Sequence, residues 1–171
     1  MSAAVTNYLV ARDGAHVYVR VSGLANMKNA PVLEAYLNSE LDRHAELVCV
    51  ELGQCTGMDS TFMGLLVGIG IGIGLTGGKL VVVNPGVANL KLLRLLGINE
   101  VLPILDGCEL PELRFVTLAC LADQNQLMRM QLIKRAHENL VALNDTNKAK
   151  FSQFLAALDK DLIKHAEPKS E

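Results

Sequence analysis

Two hydroxyl side chains beside a carboxylate are the residues of this sequence best suited to chemistry. Asp59, Ser60 and Thr61 follow a short apolar run and precede a long uncharged segment, as in a loop that leads from a strand into a helix. Asp59 or Ser60 can act as the N-cap of that helix. A phosphoryl group on Ser60 would then lie at the positive end of a helix dipole, near unpaired backbone N–H groups. It would add about −1.5 to −2 charges to the surface, which is a physical basis for a switch.

Catalytic partners for Ser60 cannot be identified from the sequence. The four histidines are scattered through a predicted strand, a helix end and the C-terminal third (His16, His44, His137 and His165). A Ser-His-Asp arrangement can assemble from distant positions, but the spacing singles out none of them. A helix cap and a strand position already account for Asp59 and Glu51, so we do not nominate them as an acid–base pair. We therefore expect no enzymatic activity and assign no catalytic residue.

The cysteines do not indicate a metal or redox centre. Cys49, Cys55, Cys108 and Cys120 form no CxxC pair, and no histidine lies at metal-ligand spacing beside them. We expect reduced thiols in a cytoplasmic protein, with Cys49 in the core and with neither metal nor cofactor.

Composition argues against two further classes of function. The net charge is −2, the aromatic content is 4% and tryptophan is absent, so neither a basic surface nor base-stacking platforms indicate nucleic-acid binding. Residues 1–8 contain neither the basic region nor the apolar core of a signal peptide. The 19 uncharged residues 60–78 approach the length of a membrane span, but seven of them are glycine. We expect a buried helix there and no membrane insertion.

Apolar periodicity predicts alternating strands and helices up to residue 106. Two strands flank the turn Asp13-Gly14, and a helix with apolar spacing follows. Further strands and helices alternate behind them, in the order β-β-α-β-α-β-α-β. The predicted elements are strands 8–11, 16–22, 47–52, 79–83 and 101–105, helices 30–43 and 87–96, a loop 53–59 and a helix in the glycine-rich segment after it. Because strands joined through helices run parallel, we expect an α/β fold with a mixed four- to five-stranded sheet and helices mainly on one face.

Residues 107–171 follow a different pattern. The stretch 107–120 can be interpreted as strand or as the start of a helix, and a helix is predicted from about Leu121. Asn144 to Asn147 break and recap it, and the tail from Glu167 is polar. One apolar stripe per helix follows from the spacing, with Met128, Leu132, Ala136, Leu140 and Leu143 on the first and Phe151, Phe154, Leu155, Leu158 and Leu162 on the second. We expect a domain 1–106 and a C-terminal helical hairpin within an extension 107–171.

The glycines of the apolar segment suggest what the extension packs against. No Gly-Lys-Ser/Thr sequence accompanies them, which argues against a phosphate-binding loop. On a helix, Gly64, Gly68 and Gly72 lie along one side and permit close approach of a neighbouring backbone. We expect a C-terminal helix or a second copy of the chain to pack there.

Residues 47–105 resemble the STAS domain family, which includes the bacterial anti-sigma factor antagonists. The shared features occur in order: an apolar strand, Met58-Asp59-Ser60-Thr61, an apolar glycine-containing helix, the run 77–85 (GGKLVVVNP), a helix ending Leu95-Leu96-Gly97-Ile98, and a final strand. Residues 5–46 fit the opening strands and first helix of the family less specifically.

The resemblance implies a phosphorylation-controlled switch. It makes Ser60 the phosphorylation site, with Thr61 as second candidate, and Met58, Asp59, Ser60, Thr61 and Met63 the partner-binding residues. The implied partners are a serine/threonine kinase-type anti-sigma factor, bound while Ser60 is unphosphorylated, and a metal-dependent serine phosphatase that resets the switch. The implied role is regulation of transcription in a bacterium.

One position departs from the family pattern. Phe62 stands where glycine is common after the two hydroxyl residues, yet it shares a helical face with Leu65, Leu66 and Ile69 and is expected in the core. The alternative to the switch is a STAS module without phosphorylation that binds a small ligand or lipid, or scaffolds a larger assembly. A homodimer formed through the helical extension also remains open.

Overall fold

The computed structural model describes residues 7–119 and 125–167. Four expectations concern residues outside these ranges: the lack of a signal core at the N-terminus, the thiol of Cys120, the start of a helix near Leu121, and most of the polar tail.

The central element is a mixed sheet with the order β5-β4-β3-β2-β1-β6. β1 and β2 form a hairpin about the Asp13-Gly14 turn, where Gly14 has a φ of +59°. β3, β4 and β5 run parallel to β2, whereas β6 pairs antiparallel with β1. The strands are β1 Asn7–Asp13, β2 His16–Ala25, β3 Leu47–Met58, β4 Lys79–Val83, β5 Ile104–Leu105 and β6 Val116–Thr117.

Helices cover one face of this sheet. Apolar side chains of the first three helices pack with alternate residues of the strands in one core, which includes Val19, Leu33, Val50, Leu66, Ile73 and Leu93. Phe62 is fully buried there and stacks on Tyr8 at a ring-centroid distance of 6.4 Å, which confirms its expected core position. The α-helices in the described residues are α1 Ala30–Asp42, α2 Ser60–Gly74, α3 Val87–Leu95, α4 Gln126–Val141 and α5 Asp145–Ala166.

The predicted fold class is confirmed, with a larger sheet than expected. The described residues form six strands instead of four to five because Val116 and Thr117, in the ambiguous stretch, pair with Val10 and Leu9. β5 and β6 lie at opposite edges of the sheet, so the chain between them crosses the face that the helices leave free.

That second face explains the buried thiol of Cys49. Cys49, Val81 and Val83 form a small cluster against Cys108 and Leu110 of the crossing segment. Burial, with Cys108 nearby, raises the pKa of the Cys49 thiol to about 11. The expectation of free thiols is confirmed for Cys49, Cys55 and Cys108, and that of a core position for Cys49.

Two predicted boundaries are wrong. The loop expected at 53–59 is strand as far as Met58, because β2 also continues to Ala25 and supplies pairing partners with two register shifts. The last strand, expected at 101–105, is only Ile104–Leu105. A 3₁₀ turn at Ile98–Glu100 follows Gly97 and delays its start.

The helical hairpin (α4 and α5, residues 126–166) packs on the same side as the first three helices. Leu132, Leu140 and Phe151 join the main core. The predicted stripes are wrong at Met128, which is 54% exposed, whereas Met130 is buried. Phe154 is 44% exposed although its ring packs against α4. Among the helices of the described ranges, none is both long and apolar enough to cross a lipid bilayer.

Candidate functional site

The site begins at the junction between β3 and α2. Asp59 is the N-cap, with its Oδ1 accepting the backbone N–H of Phe62 at 2.9 Å. Its Oδ2 accepts the backbone N–H of Met27 at 2.8 Å, which ties the loop after β2 to the same carboxylate. Of the two N-cap alternatives, the structure therefore selects Asp59, and Ser60 becomes the first residue of α2.

The hydroxyl of Ser60 contacts a histidine of the helical hairpin. Ser60 Oγ lies 2.9 Å from Nε2 of His137 in α4, 77 residues further along the chain. The other ring nitrogen, Nδ1, is 2.8 Å from the carbonyl oxygen of Ile133. A carbonyl can only accept, so Nδ1 carries a proton, and in the tautomer with its proton on Nδ1 alone Nε2 can accept the Ser60 hydroxyl proton.

Aromatic rings hold the imidazole of His137 in place. Phe151 packs edge-on to it at a centroid distance of 5.1 Å, and Phe154 lies tilted at 4.7 Å. Only 4% of His137 is exposed, whereas Ser60 is half-buried. The spacing singled out no histidine beside Ser60, and the structure places His137 there because α4 lies across the hydroxyl.

The other predicted site residues differ in accessibility. Met58 and Asp59 are half-buried, but Thr61 and Met63 are only 3% and 4% exposed. Met58, Ser60 and Met63 nevertheless line one apolar groove of about 230 Å³. Its other residues come from α3, from the C-cap of α3 and from α5; they are Leu92, Leu95, Leu96, Lys150 and Phe151.

Close backbone packing between α2 and α4 fixes the position of His137. A Cβ atom on Gly64 would lie 2.1 Å from the carbonyl oxygen of Ala136, and one on Gly68 would lie 2.4 Å from Nδ2 of Asn139. Asn139 Nδ2 also donates to the Gly64 carbonyl at 3.1 Å. The predicted packing of a C-terminal helix is thus confirmed at Gly64 and Gly68. It is wrong at Gly72, which faces Leu41 of α1.

The Ser60–His137 pair has the geometry of a hydroxyl poised beside a general base. Its third member is a backbone carbonyl, which carries no net charge with which to stabilise an imidazolium as a carboxylate would. The arrangement can hold the hydroxyl in one orientation and can accept its proton.

Sequence reasoning missed His137 and Lys150, and it assigned Phe151 and Phe154 to an apolar stripe without a role at Ser60. The only sequence signal for His137 is that it directly follows Ala136, a residue of the predicted apolar stripe. Its contact with Ser60 depends on how the hairpin docks, and local spacing carries no information on that.

The family model described as "Mlab, STAS domain" matches residues 8–106, and the chain belongs to this STAS domain family. The match includes β1 to β5, α1 to α3 and Ser60, and it ends before the helical hairpin. No curated protein matches the chain significantly.

Solved structures with the same fold include anti-sigma factor antagonists. The antagonist SpoIIAA in its unphosphorylated form is 17% identical with a TM-score of 0.55, over 60% of this chain and 89% of that one. The phosphorylated form of SpoIIAA, a Bacillus cell fate determinant, has a TM-score of 0.52 at 17% identity, over 60% and 92%. An anti-sigma factor antagonist from Mycobacterium paratuberculosis is 23% identical with a TM-score of 0.54, over 59% and 86%.

Proposed function

We propose that this protein is a phosphorylation-controlled protein-interaction switch of the anti-sigma factor antagonist type. One observation carries the proposal: Ser60 is the first residue of α2, directly after the N-cap Asp59, with an ordered hydroxyl. The similarity to solved antagonists and the family membership support the same role.

The chemistry at Ser60 would be reversible phosphoryl transfer. A kinase forms the bond between Oγ and the terminal phosphorus of ATP, the bond from that phosphorus to ADP breaks, and the hydroxyl proton leaves to a base. The new dianion lies at the N-terminus of a 15-residue helix, where the dipole and first-turn N–H groups stabilise it. A metal-dependent serine phosphatase would restore the hydroxyl by hydrolysis, releasing inorganic phosphate.

The partner in this proposal is a serine/threonine kinase-type anti-sigma factor in the cytoplasm of a bacterium. The unphosphorylated chain binds it at Asp59 and at the groove that Met58, Ser60 and Met63 line, and transcription responds to the release of a sigma factor. Ser60 is the modified residue. Thr61 is the weaker candidate because its side chain is buried.

Paired variants at Ser60 test the interaction. Ser60→Ala should retain binding because no charge can be added, whereas Ser60→Asp should weaken it at least about tenfold, or ~1.4 kcal/mol. Proteins captured by each variant from the native cells are compared by quantitative mass spectrometry. The strongest Ser60→Ala-selective protein is then purified and its affinity for both variants is measured.

The purified partner provides the decisive control. It should transfer phosphate from ATP to the wild-type chain and not to Ser60→Ala. Equal affinity for both Ser60 variants, or a partner without kinase activity toward Ser60, would count against the switch.

The alternative function is a ligand-binding or scaffolding STAS module without phosphorylation. A cavity of about 400 Å³ between α1, α2 and α4 favours ligand binding, because Glu34, Arg135 and Asn139 contribute polar groups to its lining. Native mass spectrometry of protein purified from its own cells would detect a retained ligand or lipid, and a dimer through the helical extension would appear in the same spectrum.

A further inference from the structure

We propose that the helical hairpin responds to phosphorylation of Ser60: it docks on α2 while Ser60 is unphosphorylated and is released when Ser60 carries a phosphoryl group. The inference rests on the proposed function only in that phosphorylation is the modification concerned. It assigns residues 126–166 as an intramolecular cover of the phosphorylation site.

The first argument is the space between Ser60 and His137. Oγ and Nε2 are separated by 2.9 Å, the length of a single hydrogen bond. A phosphoryl group on Oγ would put a phosphorus atom and three oxygens into that space. Because His137 Nε2 occupies it in the docked state, a phosphoryl group on this rotamer of Ser60 would clash with α4.

Small adjustments cannot make room for the phosphoryl group. The imidazole is held by the Ile133 carbonyl on one side and by Phe151 and Phe154 on the others. One turn further along α2, Gly64 is in backbone contact with Ala136, so α4 cannot slide toward the sheet or rotate without a clash. We therefore expect the clash to be relieved by separation of the two helices.

Few charged contacts hold the hairpin to the rest of the fold. Arg135 pairs with Glu34 of α1 at 2.8 Å, but the Arg135 side chain is 54% exposed and such pairs contribute little. Asn147 at the start of α5 donates to the Leu96 carbonyl after α3 at 2.8 Å. Asn139 also donates to the Gly64 carbonyl and Asn144 to the Leu96 carbonyl. The other contacts are mostly apolar packing, and we expect the hairpin to separate as one unit when the α2–α4 contact opens.

Docking also limits access to Ser60 before any modification. A kinase must bring the terminal phosphorus of its nucleotide in line with Oγ, whose hydroxyl is covered by His137 in the docked state. Modification therefore proceeds from the open form, and the fraction of open chains scales the observed affinity and rate.

Hydrogen–deuterium exchange on the full chain with phosphoserine at position 60, placed by codon-directed incorporation, tests the inference. Backbone amides of α4 should exchange at least about tenfold faster than in the unmodified chain, equivalent to ~1.4 kcal/mol of lost docking. Amides of β3 and β4 should keep their protection. Removal of the phosphate by a protein phosphatase should restore slow exchange on the same molecules.

Two matched pairs of variants distinguish the effect of a charge at Ser60 from the effect of lost packing between α2 and α4. Ser60→Asp should also speed exchange in α4, whereas Asn99→Asp, which adds one charge at an exposed position, should not. Gly64→Ala should release α4 in the unmodified chain because its Cβ meets Ala136. Gly74→Ala lies in the same helix with nothing within 4 Å and should leave the hairpin docked.

Unchanged protection of α4 in the phosphoserine chain would overturn the inference, and so would equal loss of protection in the sheet, which would indicate general unfolding. Failure of this inference can be distinguished from failure of the proposed function, because the two have separate measurements. If protein from native cells carries no phosphate at Ser60, the proposed switch fails, while the exchange experiment still decides whether the hairpin responds to the group.

Discussion

At the scale of single residues, Asp59 connects three parts of the site. One carboxylate oxygen caps α2, the other holds the loop after β2 through the Met27 amide, and the residue directly precedes Ser60. A carboxylate suits this position because each of its oxygens accepts one backbone N–H and the negative charge faces the positive end of a helix.

Substitution of Asp59 should therefore reduce stability in two steps. Asp59→Ala loses both hydrogen bonds and should lower the unfolding free energy by about 1–2 kcal/mol. Asp59→Asn keeps one accepting oxygen and should lose roughly half as much. Urea unfolding of both variants measures the difference, and equal stability of Asp59→Ala and the wild type would contradict the assigned capping role.

The Asp59-Ser60 pair could be located from the sequence because its signals are local. An N-cap residue, a following apolar run and the family pattern all occur within a few positions. The Ser60–His137 contact could not be located, because it joins residues 77 positions apart through the docking angle of two helices. No periodicity within either helix encodes that angle.

At the scale of elements, the glycine side of α2 determines how the helical hairpin docks. Gly64 and Gly68 leave room for the α4 backbone and for Asn139, so an α-helix can approach closely enough for His137 to reach Ser60. The spacing of the glycines predicted this surface. It could not predict that Gly72 faces Leu41, because α1 and α4 share one side of α2.

Removal of the helical hairpin should expose this surface. A chain that ends after Ala119 keeps β6 but loses Leu132, Leu140 and Phe151, each a core contact worth ~1.5–3 kcal/mol when fully buried. We expect lower stability in urea unfolding and self-association in sedimentation velocity. A chain that ends after Ala166 serves as the control, since it retains both helices.

A truncated chain as stable and as monomeric as that control would show that the hairpin contributes nothing to covering α2. The same comparison addresses the homodimer through the extension. A homodimer formed by the helices of the extension should disappear in the truncated chain. Self-association through the exposed glycine side of α2 should instead increase.

At the scale of the whole molecule, the fold is a STAS domain with an added layer. The regular alternation of strands and helices was predictable as far as α3 because each element buries a periodic apolar face. β6 was not, because two residues carry too little pattern to distinguish an edge strand from a loop. The segment between β5 and β6 covers Cys49 and Val81 on the far side of the sheet, which no local signal indicates.

The helical hairpin lies outside the part of this chain that matches the family model. The compared structures cover 59–60% of the chain, and the family model ends at residue 106. The helical hairpin, which covers the proposed phosphorylation site Ser60, is therefore where we expect this protein to differ from the matched structures.

The most direct test of the switch is mass analysis of the protein isolated from its native cells under several growth conditions, with peptide mapping across residues 47–79. The account predicts a fraction of molecules heavier by about 80 Da, one phosphoryl group, localised to Ser60 and absent from Ser60→Ala. Unmodified Ser60 under every condition, or a phosphate localised to another residue, would contradict it.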